Sequence, residues 1–378
     1  MKGGTDVTGL LSDLVAIPSI NPMGRPSDGD RFREQQIAGY VAEYMRSSGM
    51  DVSVSDVAPG RPNVIGYVDA GAAETILLEA HLDTVHVDNM AIEPFTPVVR
   101  DGRLYGRGAC DTKGSLAAFL AAVTDCLATP KRLKYNVVVA AVADEEYQFT
   151  GARHAVEAGL KADAGIVGEP TRLRIVRAHK GLVRWRIITH GVAAHSAFPE
   201  RGRNAIYVMG QVLTRIERYA RRLAEREGHA LLGPRTLSVG VIEGGSAVNI
   251  VPDGCSIEID RRALPGEQAD EILDDVRTQL RDINDWEFSP PHVAIMGMEV
   301  PEDAPVVRRL AAAVHAMTGD VMVETAPYMT NASVYNAAGI PTVVFGPGDI
   351  ARAHTDSEFI PLDELNTAVT IIRNVLCS

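Results

Sequence analysis

Five residues of metal-ligating type stand at or just beyond the ends of apolar segments: His81, Asp111, Glu146, Glu169 and His354. Two histidines and three carboxylates suit two divalent ions that share one carboxylate. Ions paired at about 3.5–4 Å clamp an oxygen nucleophile and lower the pKa of water to about 7. Glu145, beside Glu146, would then be the general base, taking the water proton and passing it to a leaving amine. In TILLEAHLDTVH, His81 and Asp83 are two residues apart and share a face if the stretch is a strand. Asp83 could therefore orient His81. The chemistry implied is metal-assisted hydrolysis. Competing motifs fail. There is no G-x-S-x-G and no H-E-x-x-H. In GRGACDTKG, Asp111 occupies the third glycine position of a dinucleotide fingerprint, and Lys113 is followed by Gly114 where a phosphate loop needs Ser or Thr. An acid in such a loop points to a cation or to a helix cap.

Buried strands must position these residues. The apolar run Ile76 to Leu78 leads to His81. Asn136 to Ala143 is nearly all apolar, as expected of a strand covered on both faces, and runs into Asp144, Glu145 and Glu146. Ala164 to Val167 runs into Glu169, and Pro341 to Phe345 precedes His354. Ligands gather at the carboxyl ends of strands in open α/β sheets. Helical spacing marks residues 7–17, 31–48 and 362–376, and an apolar helix over 115–127 follows Asp111. Strands are expected over 52–57 and 63–68. After His179 the pattern changes to strand 183–189, a long helix to 228, strands 237–241 and 257–261, helix 267–281 and strand 293–298. That is the split βαβ order of a self-contained α+β unit. The expectation is an α/β fold with a catalytic domain in two parts, 1–178 and 300–378, interrupted by an inserted domain at 179–299.

A formal net charge of −12 argues against a nucleic-acid partner. No segment approaches the roughly 18 apolar residues of a membrane span. The start reads as a first helix and not as a signal peptide. Cys110, Cys126, Cys255 and Cys377 show no CxxC spacing and read as reduced thiols of a cytoplasmic protein.

AHLDTV, GRGACDTKG, ADEE, GEPT, HSAFPERGRNAI, NIVPD, DRRALPG and FGPG with AHTDSE together resemble the metallopeptidase M20 family, nearly end to end. That family includes acetylornithine deacetylase, succinyl-diaminopimelate desuccinylase, aminoacylases and glutamate carboxypeptidases. The resemblance implies a zinc-exopeptidase-like catalytic domain, a mixed sheet with flanking helices, interrupted by a smaller ferredoxin-like lid that dimerises. It implies one ion on His81, Asp111 and Glu169 and another on Asp111, Glu146 and His354, with Asp111 as the bridge. Zn²⁺ is the first expectation, with Co²⁺ and Mn²⁺ as alternatives. Asp83 would orient His81, and Glu145 would be the base. His195 would contact the substrate or its oxyanion, and Asn249 and Arg262 would bind substrate. A cis peptide at Asp111–Thr112 is also implied. Arg262 should anchor an α-carboxylate, whereas Arg261, on the opposite face, reads as a surface salt-bridge partner. The activity implied is removal of an acyl group from an N-acyl amino acid, as in acetylornithine deacetylase. A carboxypeptidase or dipeptidase with the same site is the alternative. His195 is expected to act across a homodimer, with the lid strand Val183 to Thr189 pairing with its copy. One departure stands out: Asn331 takes a place where many relatives carry an acid, and so removes a charge near the site.

Overall fold

A computed structural model describes residues 4–27, 29–128 and 133–377. The chain divides into two compact units. The larger comprises Met1–Arg177, Val300–Glu324 and Thr330–Ser378, and the smaller comprises Ala178–Glu299 with Thr325–Met329.

The larger unit is built on a mixed sheet. Six of its strands run in the spatial order Asp51–Ala58, Arg61–Val68, Asn136–Val142, Thr75–His81, Ala164–Val167 and Thr342–Val344. The first two form an antiparallel hairpin, and Arg61–Val68 pairs antiparallel with Asn136–Val142. The remaining neighbours pair in parallel. His81 sits opposite Val142 and Leu78 opposite Ile166, so these strands end at one edge of the sheet. The central strands are buried on both faces, which is why they read as continuous apolar runs. The helix Lys113–Leu127 is buried over most of its length and packs against the last helix, Leu362–Cys377.

That helix pair brings together Cys126 and Cys377, 251 residues apart, as a disulfide; Cys110 and Cys255 are free and buried. The expectation of four reduced thiols therefore fails for two of them. Sequence spacing carries no trace of a contact made by two packed helices. No helix among the described residues is long and apolar enough to cross a membrane.

The chain leaves the larger unit after Arg177 and re-enters at Val300. These two residues are neighbours there. The Val300 amide donates to the Arg177 carbonyl at 2.8 Å, and Arg177 Nη1 donates to the Val300 carbonyl at 3.1 Å.

The smaller unit is an antiparallel sheet in the order Thr236–Gly244, Gly254–Ala263, Gly181–His190 and Trp286–Phe288, with Val293–Ile295 also on Gly181–His190. Helices Ala205–Glu225 and Ala269–Leu280 cover one face. Val183, Trp185 and Ile187 point into that core with Ile257, Ile259, Met209, Ile216 and Val276, while Arg186 stays exposed. The period-two pattern thus has its physical cause in one buried face. The expected edge role of Val183 to Thr189 is wrong, because this strand is central and paired along both sides. One open edge is Thr236–Gly244, whose outer side pairs with no strand among the described residues and whose Val241 and Ile242 are exposed.

Candidate active site

Four strand ends and one helix start converge in the larger unit. His81 closes its strand, Glu145 and Glu146 follow Asn136–Val142, Glu169 follows Ala164–Val167, and His354 lies in the loop after Thr342–Val344. Asp111 precedes the helix that begins at Lys113, and the Asp111–Thr112 peptide is cis. The two oxygens of Asp111 face different histidines. His81 Nε2 is 3.1 Å from Oδ1, and His354 Nε2 is 3.2 Å from Oδ2. His354 Nε2 is also 3.3 Å from Glu146 Oε1. Donor atoms of His81, Asp111 and Glu146 lie within 4.8 Å of one another, and so do those of His81, Glu145 and Glu169. The structure therefore gathers all five expected ligands and Glu145. Proximity alone does not separate Glu145 from the ligands.

The electrostatics call for added positive charge. Burial, with help from Asp111, raises Glu146 to about 6. Burial likewise pushes Glu145 and Glu169 well above the usual carboxylate range. Contacts with Asp111 and Glu146 raise His354 to about 10. For His81, burial pulls downward, but the Asp111 and Asp83 contacts outweigh it and raise the imidazole well above its usual value. Asp111 is held below the usual carboxylate range despite burial, because both imidazoles bond to it. Four clustered carboxylates favour their charged forms only with cations nearby. Their oxygens and the imidazole nitrogens are the donor set of divalent ions such as zinc and manganese. The residues fit a two-ion site.

Supporting residues that sequence reasoning did not assign surround this cluster. Glu358, fully buried, accepts the amides of Cys110 at 2.8 Å and Asp111 at 3.0 Å and pairs with Arg107 Nη1 at 2.6 Å. It fixes the backbone that carries Asp111. Glu358 ends the AHTDSE motif, so the signal was present but was used only for its histidine. Asp83 does more than orient a ring. His81 Nδ1 lies 2.9 Å from the Asp83 carbonyl, while the Asp83 carboxylate accepts the amides of Glu145 and Glu146, each at 3.1 Å. Asn331 does not leave its surroundings without an acid. Its Nδ2 donates at 3.0 Å to Glu79, a fully buried carboxyl on the His81 strand that burial raises to about 7. This pairing joins two elements far apart in sequence, which a position-by-position reading cannot see.

The remaining expected residues belong to the smaller unit. His195 and Asn249 are exposed neighbours on a short ribbon, where Ala194–His195 pairs with Ile250–Val251 and the Ser196 amide donates to the Asn249 carbonyl. His195 Nδ1 accepts the Ala197 amide at 3.1 Å, which leaves the proton of the neutral ring on Nε2, a hydrogen-bond donor. Arg262 is half-buried and bonds Asp260 at 2.9 Å. Arg261 is a salt-bridge partner, as expected, but not a surface one. It is buried and pairs with Glu267 at 2.8 Å. The alternation that turned it away from Arg262 turned it inward.

The chain is similar to known proteins along most of its length. The profile of peptidase family M20/M25/M40 matches residues 77–378. An acetylornithine deacetylase of Myxococcus xanthus is 37% identical over 87% of this chain and 86% of its own. An acetylornithine deacetylase of Proteus mirabilis is 31% identical over 93% of this chain and 91% of its own. The crystal structure of an M20 family metallo-carboxypeptidase from Sulfolobus solfataricus superposes with a TM-score of 0.81 at 20% identity, covering 98% of both chains, and so shares the fold. The chain belongs to peptidase family M20/M25/M40.

Proposed function

We propose that the protein removes the acyl group from an N-acyl amino acid, in the manner of acetylornithine deacetylase. As a member of its family it is a metal-dependent amide hydrolase. The observation that carries the reading is the Asp111 carboxylate between His81 and His354, with Glu145 beside them, in a chain 37% identical to a deacetylase. In this reading His81, Asp111 and Glu169 hold one divalent ion, and Asp111, Glu146 and His354 hold the other. Zn²⁺ is first choice, and Co²⁺ or Mn²⁺ suits the same donors. Ions held there supply Lewis acidity, which polarises the scissile carbonyl and acidifies the attacking water. Glu145 takes the water proton and delivers it to the leaving amine. His195 donates from Nε2 to the developing oxyanion. Arg262 pairs with the substrate carboxylate through its planar fork, and Asn249 adds a polar contact.

A panel of N-acyl amino acids and dipeptides, assayed with added Zn²⁺, Co²⁺ or Mn²⁺, tests this directly. The acyl amino acids should be hydrolysed and the dipeptides should lag. The reverse order would make the protein a peptidase, and no turnover by metal-loaded protein would sink both readings. On the same panel, Arg262→Lys should raise KM for free acids well above its effect on the matching amides, because Lys cannot reproduce the fork. Equal effects would remove the carboxylate role.

We also propose a homodimer joined through the open edge Thr236–Gly244, with His195 completing the partner's site. Support comes from the unpaired edge and its exposed Val241 and Ile242. Mixing inactive His195→Ala with inactive Glu145→Gln under conditions of subunit exchange should restore activity, since one site of the heterodimer would hold both intact residues. Exchange without recovered activity would mean that His195 acts within its own subunit or not at all. A cytoplasmic setting goes with this function.

A further inference from the structure

The turn that carries Glu145 is held by Asp144 and Asp83, and these in turn are held by Asn21, Arg61 and Glu34, which no catalytic motif contains. Asp144 has a positive φ of 63°, a conformation that Asp tolerates better than most residues but seldom adopts unaided. Its carbonyl accepts the Phe149 amide at 2.7 Å, and Thr150 Oγ1 donates to its Oδ2. Its Oδ1 receives two donors, Arg61 Nη1 at 2.7 Å and Asn21 Nδ2 at 3.0 Å. The same Asn21 Nδ2 donates at 2.7 Å to Asp83, whose two oxygens take the amides of Glu145 and Glu146. Arg61 in turn spans to Glu34, which accepts from both Nε and Nη2. Asn21, Glu34 and Asp83 are fully buried, Asp144 is 2% exposed, and the Arg61 side chain is 13% exposed.

Each link has a reason to be rigid. Buried carboxylates must be bonded or they cost free energy. One guanidinium, in a fixed plane, meets two of them at once. One amide NH₂ supplies its two protons to Asp83 and to Asp144, the carboxylate it shares with the guanidinium. The hairpin strand Arg61–Val68 and the loop holding Asn21 are thereby tied to one turn, and the turn has little freedom left to rotate Glu145 away.

We propose that Arg61 and Asn21 are positioning residues for Glu145: they fix Asp144 and Asp83, which hold the Glu145–Glu146 turn. The inference rests on reading Glu145 as the base. Neither residue touches the cluster of ligand atoms, so each acts on rate through the turn. A displacement of about 1 Å at a reacting group can cost about 10²-fold in rate.

The test uses Arg61→Lys, which keeps the charge but loses the fork, and Asn21→Ser as a second route if the first variant does not fold. Metal content and KM should stay within about two-fold of wild type, while kcat falls between about 10-fold and 10²-fold. Combined with Glu145→Gln, the same substitution should cost nothing further, because the group it positions is already disabled. Hydrogen exchange at the amides of Glu145 and Glu146 should speed up, while exchange in Lys113–Leu127 should not. Unchanged kcat, an equal loss in the Glu145→Gln background, or unaltered exchange at the two amides would each overturn the proposal. A wild-type protein that hydrolyses no amide would fail the functional reading instead, and amide exchange would still decide whether the clamp exists.

Discussion

Glu145→Gln should keep its metal and lose its turnover. The amide matches the carboxylate in size, and the backbone bond from Glu145 to Asp83 is untouched by the change. What disappears is the ability to accept a proton, which is worth about 10²–10⁴ in kcat. Burial raises the Glu145 carboxyl well above the usual carboxylate range. The experiment is decisive because Glu145 lies within the same 4.8 Å grouping as His81 and Glu169. Loss of a metal equivalent would make Glu145 a ligand. Wild-type turnover in metal-replete protein would make it a bystander.

Asp111→Ala should empty both ion sites. Each Asp111 oxygen faces a different histidine, so no other side chain can couple the two halves in the same way. Without it, two divalent charges would sit close together with no anion between them. Metal analysis of folded, dialysed protein should find neither site holding a full equivalent, and activity should vanish with the metal. Retention of one equivalent at unchanged affinity would mean that Asp111 serves one ion and the bridge is wrong.

The strands behind this site were legible for a physical reason. Thr75–His81, Asn136–Val142 and Ala164–Val167 are covered on both faces, so apart from Glu79 their buried positions are apolar until the chain emerges, and there the ligands begin. The short helix Thr150–Glu157 was not legible. Its buried residues are Gly151, Ala152 and Ala155, small side chains that give no apolar stripe. The edge error has a different origin. Alternation in Gly181–His190 reveals which face is buried, but it is silent on whether the backbone at either side has a partner. The same holds for Glu79 with Asn331, for Asn21 with Asp83, and for Cys126 with Cys377. Each pairing depends on the finished topology, and no local pattern encodes it.

The hydrogen bonds between Arg177 and Val300 make the segment Ala178–Glu299 separable in heredity. Its two ends return to adjacent points, and the entropy of closing such a loop grows only slowly with the length of what lies between. A segment inserted at such a point can be lengthened, exchanged or lost in one recombination event without rewriting the sheet that carries the ligands. Substrate preference, so far as the smaller unit sets it, can then evolve as a cassette while the hydrolytic chemistry is inherited intact.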